Sequence, residues 1–373
     1  MSVKQPHDGL AQDGRSTHAA NWWIYRGTGR PVHDLALAEV LPPPPPWRKF
    51  DGGPLPADDT PPPDDGEADR LLGAAFNLSE RDADPREVDM VNAALLLRRP
   101  LLVTGRPGTG KSSLAHQIAR ELRLGRVLRW VITSHTTLKS GLYSYDAIGR
   151  AQAAGTMQAV ARLAQAAGAD WQPAGVVEPS VGEFVRLGPL GTALLPRRLP
   201  RVLLIDEFDK SESDLPNDLL SIFEDGEFPI PELERVRNTS RDVAVFTDDP
   251  EQVATIVGGR VRCNAFPIIV ITSNGEREFP PAFLRRCLRH EMRPPDEEQL
   301  AKMVANHLLD LRGEHRQRLV KEFFERSQAN GGLPTDKLLE AVFLATSGAF
   351  RDNDLAWPRL VDALWRRLDS LAP

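Results

Sequence analysis

One short stretch, Gly-Arg-Pro-Gly-Thr-Gly-Lys-Ser at positions 105–112, limits the possible folds of this chain more than any other part of its sequence. It matches the pattern GxxxxGK[ST] at every fixed position, and it lies between an apolar run, 101–103, and a helix-forming stretch, 112–122. Glycine lets successive backbone N–H groups turn toward an anion at the positive end of the following helix. The sequence therefore predicts a phosphate-binding loop for a nucleoside triphosphate.

The residue types within this loop suit the separate tasks of holding a triphosphate. The ammonium of Lys111 is expected to reach the β- and γ-phosphates, and the hydroxyl of Ser112 is placed to ligate Mg²⁺. A glycine-rich turn that matches the pattern by chance is the alternative, and the flanking strand and helix argue against it. The predicted nucleotide-binding residues of the loop are Gly105, Arg106, Pro107, Gly108, Thr109, Gly110, Lys111, Ser112 and Ser113.

A second motif lies farther along the chain, where an apolar run at 201–205 ends abruptly in Asp206 and Glu207. Such a run is typical of a central parallel strand, and the last side chains of these strands point into the ligand crevice. Asp206 is expected to hold Mg²⁺ through water, and Glu207 is expected to polarise the attacking water. A strand that simply ends in polar turn residues is the alternative, and the phosphate loop upstream argues against it.

A third predicted strand, within 266–273, ends in the neutral amide of Asn274. An asparagine at this place can orient water against the γ-phosphate without adding negative charge. Its alternative role is that of a turn residue before Gly275.

Charge, cysteine content and hydropathy argue against a nucleic-acid-binding, disulfide-rich, metal-binding, membrane or secreted protein. The 373 residues carry a formal net charge of −6, and the basic residues are scattered, so electrostatics give no support for nucleic acid as the main partner. The two cysteines, Cys263 and Cys287, are too few for a disulfide framework and lack the spacing of a metal site. No apolar run is long enough to span a bilayer and the first residues lack the core of a signal peptide, so we expect a cytoplasmic protein with no membrane partner.

Proline content and apolar periodicity divide the chain into three predicted regions. They are a proline-rich and partly extended N-terminal arm (1–84), an α/β nucleotide-binding domain (85–293) with an insert (134–200), and an all-helical domain (294–373). We expect the aromatic arm to dock on the folded core, its own or a neighbour's, rather than to contact nucleotide or serve as a partner peptide. The aromatic residues expected to be buried are Trp22, Trp23, Tyr25 and Trp47.

Periodicity between the motifs predicts a central parallel sheet flanked by helices. Within the insert it predicts a helix over 151–167 and a short strand inside 182–187. Farther on it predicts a hairpin whose two strands, 243–246 and 260–263, enclose an acidic, turn-rich middle. A short helix is predicted over 279–287, and the chain beyond Pro295 is expected to be helical with no strands.

The order of these motifs resembles that of an AAA+ ATPase, and more narrowly that of the MoxR-like branch of the helix-2-insert clade. The finer resemblance depends on the long insert, on Asp-Ala-Ile-Gly at 146–149 and Leu-Gly-Pro-Leu at 187–190 within it, and on the hairpin ahead of Ser273-Asn274. It covers about residues 86–373. It implies a P-loop core followed by a small helical lid domain, with ATP and Mg²⁺ as cofactors.

The resemblance also implies roles for particular residues. Asn274 corresponds to the first sensor of the γ-phosphate, and Arg286 corresponds to the arginine finger that enters a neighbour's active site. Arg359, in Pro-Arg at the start of the last lid helix, corresponds to the second sensor. Arg285 is the rival candidate for the finger, since the family places an acidic residue before the finger where this chain has Arg285. Arg351 is the rival candidate for the second sensor.

For function, the resemblance implies an ATPase that forms a homo-oligomeric ring and remodels or activates a protein partner. The expected ring is a hexamer. MoxR-like proteins commonly act with proteins that carry von Willebrand factor A domains. The alternative is a nucleotide-dependent signalling switch with slow turnover in a multi-protein bacterial system. A small-molecule kinase is disfavoured by Glu207 beside Asp206, and a DNA-directed motor is disfavoured by the acidic charge balance.

Overall fold

A computed structural model describes residues 22–31, 36–64, 66–73, 83–167, 179–307, 314–329, 333–346 and 357–365. The helices, in chain order, are α1 (Leu37–Val40), α2 (Glu67–Leu72), α3 (Pro85–Leu97), α4 (Ser113–Glu121), α5 (Leu138–Leu142), α6 (Ala147–Ala167), α7 (Pro189–Ala193), α8 (Leu215–Asp225), α9 (Pro231–Glu234), α10 (Pro281–Arg286), α11 (Glu297–His307), α12 (Glu314–Ala329), α13 (Thr335–Thr346) and α14 (Trp357–Leu364). The strands are β1 (Leu101–Thr104), β2 (Leu128–Val131), β3 (Tyr143–Tyr145), β4 (Val185–Leu187), β5 (Val202–Asp206), β6 (Glu227–Pro229), β7 (Asp242–Phe246), β8 (Val253–Val257), β9 (Arg260–Arg262), β10 (Ile268–Ser273) and β11 (Leu288–Glu291).

A five-stranded parallel sheet, ordered β11-β1-β10-β5-β2, forms the centre of the α/β domain. Strands β5 and β10 are buried along their whole length, as expected for strands covered on both faces. Because β1, β10 and β5 are neighbours and run in one direction, their carboxyl ends meet at one edge. The predicted fold class, a central parallel sheet flanked by helices and followed by a helical lid, is confirmed.

Strand β11 is an edge strand that sequence analysis missed. It pairs with β1 in the register Leu101 opposite Leu288, directly after the short helix α10. Only one of its four residues, Leu-Arg-His-Glu, is buried, as is common at the edge of a sheet. The strand therefore has no apolar run from which sequence analysis could predict it.

A second, six-stranded sheet, ordered β3-β4-β7-β8-β9-β6, contains the strands of the insert and of the predicted hairpin. The hairpin prediction was wrong in its pairing, because β7 pairs with β8 rather than with 260–263. Strand β9 then returns along β8 through Gly258 and Gly259, which both have positive φ, 63° and 78°. Glycine suits this two-residue turn, since it adopts positive φ without a Cβ clash.

The insert also contains α6, which begins at Ala147 rather than at the predicted residue 151. Its first turn exposes Ile148, which is 73 % accessible. Residues 168–178 of the insert lie outside the described part of the chain.

The lid consists of α11 to α14, which pack around a separate apolar core. Leu300, Phe323, Leu338 and Trp365 are members of this core. The described residues beyond Pro295 form no strand, as predicted. Across the described ranges, no helix is long and apolar enough to cross a membrane.

The N-terminal arm docks on the core of its own chain. The backbone N–H groups of Ile24 and Tyr25 donate to Oδ1 of Asn92 on α3, at 2.7 and 3.0 Å, and Asn92 donates back to the carbonyl of Tyr25 at 2.6 Å. The Trp23 indole donates to Asp89 at 2.9 Å. These contacts hold the segment as an added layer over α3.

Later in the arm, Arg48 is buried against the core. Its guanidinium donates to the carbonyls of Arg98 and Phe223, and it stacks over the rings of Phe50 and Phe266. We expected the aromatic residues of the arm to be buried, and Tyr25 is buried, with 0 % exposure. That expectation was wrong for Trp47, which is 77 % exposed, and for Trp22, which is 44 % exposed.

Candidate functional site

Sheet order brings the three sequence motifs together. The phosphate loop follows β1, Asp206 ends β5, and Asn274 follows β10, which lies between those two strands. A cavity of about 790 Å³ opens at this edge, within the size range of small-molecule sites. Its lining includes Pro107, Gly108, Thr109, Gly110, Lys111, Ser112, Ser113, Asp206, Glu207 and Asn274, with Arg70, Leu71 and Leu72 from the arm and Met303, Thr335 and Asp336 from the lid.

The loop conformation depends on glycine, because Gly105, Gly108 and Gly110 all have positive φ. Gly108 and Gly110 have φ of 75° and 87°, in the left-handed region that residues with a Cβ rarely adopt. At Gly108 a Cβ would also stand 2.5 Å from the Cα of Pro334 in the lid. The lid contact is reinforced by Thr335, whose hydroxyl donates to the carbonyl of Gly108 at 2.7 Å.

Lys111 is held inside the loop, as a phosphate-binding lysine must be. Its ammonium donates to the carbonyls of Gly105 and Arg106, both at 2.8 Å. Burial lowers the pKa of Lys111, and the nearby carboxylates of Asp209 and Asp206 oppose that shift. The loop carbonyls therefore hold the ammonium at the cavity wall. From there it can exchange these hydrogen bonds for bonds to an anionic ligand.

Asp206 accepts three hydrogen bonds from side chains. The hydroxyls of Ser112 and Thr272 donate to its Oδ1, each at 2.7 Å, and Arg129 donates to its Oδ2 at 2.9 Å. Burial alone would raise the pKa of Asp206, but these donors outweigh it and the pKa is lowered. The carboxyl group is therefore ionised at neutral pH.

The pairing of Ser112 with Asp206 fits a magnesium ion, because it places a hydroxyl and a carboxylate side by side and Mg²⁺ prefers such hard oxygen ligands. In the described ranges, no group of three or more His, Cys, Asp or Glu residues could hold a metal. Mg²⁺ is commonly held by one or two carboxylates and substrate phosphates. Ser112 and Asp206 would hold the ion, and it would neutralise charge on the phosphates.

Glu207 turns the chain away from β5 at the cavity wall. It has a left-handed backbone, φ 60°, and its N–H donates to the hydroxyl of Thr272 at 3.0 Å. Its carboxylate accepts from Lys210 at 2.8 Å and is partly exposed. Thr272 thus contacts both acidic residues, a role that sequence analysis missed because only the pairing of β10 with β5 places Thr272 beside Asp206.

Asn274 lies in the cavity wall, as predicted. Its backbone N–H donates to the buried carboxylate of Asp209 at 3.3 Å. This contact ties the end of β10 to the turn after β5. The backbone of Asn274 is therefore fixed in the wall of the cavity that Glu207 also lines.

Arg286, the predicted finger, does not line the cavity of its own chain. It lies at the end of α10, and its Nε donates to Glu224 on α8 at 2.6 Å. Arg99 donates to the carbonyls of both Arg285 and Arg286, which fixes this helix end. Arg285 is exposed and the side chain of Arg286 is 42% exposed, so both arginines reach the outside of the domain.

Arg359 is exposed on α14 and is not among the cavity residues, contrary to the second-sensor expectation. The physical reason is the packing of the lid, in which α13 rather than α14 meets the phosphate loop. Thr335 and Asp336, at the start of α13, line the cavity instead. The rival candidate Arg351 lies outside the described residues.

Comparison with known proteins places this site in a family. A family model described as "AAA domain (dynein-related subfamily)" matches residues 100–287. No curated protein matches the chain. Among solved structures, one titled "Structure of C. elegans PCH-2" aligns with a TM-score of 0.37 and 14% identity, over 80% of this chain and 71% of that chain.

The family match spans just over half of the chain and contains the phosphate loop, Asp206, Glu207 and Asn274. Those residues meet at one cavity of nucleotide size. The chain therefore belongs to the AAA family, dynein-related subfamily, and is a nucleotide-binding AAA+ ATPase.

Proposed function

We propose that this protein is a MoxR-like AAA+ ATPase that hydrolyses ATP in a homo-oligomeric ring and uses the energy to remodel or activate a protein partner. The observation that carries the proposal is the position of Arg286. It lies on the outside of the domain, paired with Glu224, and away from the cavity of its own chain. An arginine in that place can complete the site of a second copy, which makes assembly a condition of full activity.

Within the site, each residue has a separate task. Lys111 and the loop N–H groups bind the β- and γ-phosphates, and Ser112 with Asp206 holds Mg²⁺. Glu207 orients or deprotonates the attacking water, and Asn274 holds it against the γ-phosphate. Arg286 of a neighbouring copy neutralises the charge that develops on the transferred phosphoryl group.

The insert supplies a surface for the partner. The side chains of α6 are largely exposed over residues 147–162, where the structure describes them, and its first turn carries the exposed Ile148. An exposed helix of this kind is accessible to a protein client, and the family resemblance favours a client with a von Willebrand factor A domain.

A slow signalling switch is the second candidate, and the ion pair between Lys210 and Glu207 favours it. A carboxylate that accepts a hydrogen bond from an ammonium has one oxygen less to offer the attacking water. The pair is exposed, so its strength is small and water can compete for it. Steady-state turnover of the assembled protein separates a remodelling enzyme from a switch.

The test of the active site is a pair of substitutions. Lys111→Ala should abolish nucleotide binding because it removes the charge on the phosphates. Glu207→Gln should keep binding and lower phosphate release on the order of a hundredfold. Binding is measured with a fluorescent ATP analogue and turnover by phosphate release. The exposed Lys49→Ala and Glu212→Gln are matched controls and should leave both unchanged. Tight binding by the Lys111 variant would contradict the assignment.

A further inference from the structure

Helix α2 of the N-terminal arm is part of the nucleotide cavity, although it lies outside the matched family region. It packs against α4, which follows the phosphate loop, and against α11 of the lid. Ala68 and Leu72 are buried in this contact. At Gly73 the chain passes so close to the lid that a Cβ would stand 2.5 Å from the carbonyl of Asn306. The arm therefore fills a specific place between core and lid.

Two neighbouring acidic residues on α2 bind arginines of the core. Asp69 accepts from Arg120 on α4. Oε1 of Glu67 accepts from Arg70 at 3.1 Å and also lies 3.5 Å from Nη1 of Arg129 on β2. Arg129 uses its other terminal nitrogen, Nη2, to donate to Oδ2 of Asp206 at 2.9 Å. Its guanidinium thus joins the arm to the carboxylate that is proposed to hold Mg²⁺.

The chemistry of Asp206 explains why this contact matters. Ser112 and Thr272 both donate to Oδ1, so Arg129 is the donor to the remaining oxygen. A donor on the far oxygen of a metal-binding carboxylate fixes the plane of the carboxylate, and loss of such partners typically lowers metal affinity about 10- to 100-fold. The planar fork of arginine can serve two carboxylates at once, which an ammonium on a flexible stem does less well.

We infer that Arg129 is a positioning residue for Asp206, and that Glu67 of the arm in turn positions Arg129. The docked arm then contributes to Mg²⁺-dependent nucleotide affinity without touching the metal. The inference rests on the proposed nucleotide site. Because binding couplings are reciprocal, nucleotide with Mg²⁺ also strengthens the docking of the arm.

The first test uses the full chain and a fluorescent ADP analogue, titrated in MgCl₂ and separately in EDTA. The ratio of the two affinities measures the contribution of the metal. Arg129→Met should lower this ratio about 10-fold while affinity in EDTA changes less than about twofold. Arg129→Lys should restore part of the ratio, since it keeps the charge but loses the fork.

The second test compares the two acidic residues of α2. Glu67→Gln should lower the Mg²⁺ to EDTA ratio several-fold, in the same direction as Arg129→Met. Asp69→Asn is the matched control, because Asp69 lies on the same helix but binds Arg120 rather than Arg129. The arm should stay mostly docked in this variant, with at most faster proteolysis, so the ratio should be unchanged.

Some outcomes would overturn the inference. They are an unchanged ratio in Arg129→Met, an equal fall in both media, and equal ratios for Glu67→Gln and Asp69→Asn. Arg129→Lys and Glu67→Gln keep the test decisive if Arg129→Met does not fold. A wild-type chain that shows no Mg²⁺-dependent binding would refute the proposed nucleotide site itself, which distinguishes the two failures.

Discussion

At the scale of single residues, an almost fully buried ion pair joins Arg201 to Asp249. Arg201 precedes β5 and Asp249 follows β7, and their side chains are 2% and 1% exposed. The guanidinium donates to both carboxylate oxygens, at 2.6 and 2.9 Å. Burial alone would raise the pKa of Asp249, but the bonds and charge of Arg201 outweigh it, so the pKa is lowered. The pair connects the central sheet to the second sheet.

Asp249→Asn should therefore lower the free energy of unfolding by about 3–5 kcal/mol, because it leaves a buried guanidinium without its counter-charge. Asp248→Asn is the control, since Asp248 is a quarter exposed and pairs with Arg126 at 3.0 Å. It should cost less than about 1 kcal/mol. Urea unfolding of both variants measures the difference, and equal losses would contradict the prediction.

The same pair has a defined pH dependence. The folded pKa of Asp249 lies below its ordinary value, so the stabilisation is complete above about pH 4 and is lost as pH falls through the folded pKa. The difference in unfolding free energy between wild type and Asp249→Asn should therefore shrink in acid and stay constant from about pH 5 to 8.

At the scale of elements, the arm is held by a few specific anchors rather than by all of its aromatic residues. Glu121 on α4 accepts from the backbone N–H groups of Arg26 and Gly29, at 2.5 and 3.0 Å. Tyr25 lies in the apolar cluster of α3 and α4, whereas Trp47 faces solvent. Aromatic residues of one arm thus have opposite environments.

Tyr25→Ala should release the first part of the arm and lower stability by about 3–5 kcal/mol, the usual cost of removing a buried aromatic ring. Trp47→Ala should change stability by less than about 0.5 kcal/mol, because its ring is exposed. The readouts are chemical unfolding and the rate at which protease cleaves the arm. Equal sensitivity of the two variants would show that burial of Tyr25 is not what docks the arm.

At the scale of the whole molecule, the proposed site is complete only when a second copy supplies Arg286. Activity per subunit should then rise steeply with protein concentration. A mixture of Arg286→Ala and Glu207→Gln subunits should regain activity where intact Glu207 meets intact Arg286, with phosphate release as the measurement.

Two further variants make this mixing experiment specific. Arg289→Ala removes an exposed arginine of the neighbouring strand β11 and should have no effect. Arg285→Ala tests the rival finger, and a stronger loss there than in Arg286→Ala would move the assignment to Arg285. Activity per subunit that stays constant on dilution would refute the oligomeric mechanism.

The sequence alone determined the parts of this protein that depend on short, contiguous patterns. The phosphate loop, the strands that end in Asp206 and before Asn274, and the helical lid were all readable, because each combines a local backbone preference with a regular apolar period. These features were sufficient for the fold class and for the motifs of the cavity.

Which distant residues meet at that cavity depends on the tertiary structure and could not be predicted from the sequence. Thr272 and Arg129 contact Asp206 because of strand order and register, and Glu67 reaches Arg129 because the arm folds back over α4. Likewise α13, and not the helix that carries Arg359, meets the phosphate loop because of how the lid packs. Such pairings join residues far apart in the chain, so their free energy comes from packing and electrostatics in the folded state, which leave no local pattern in the sequence.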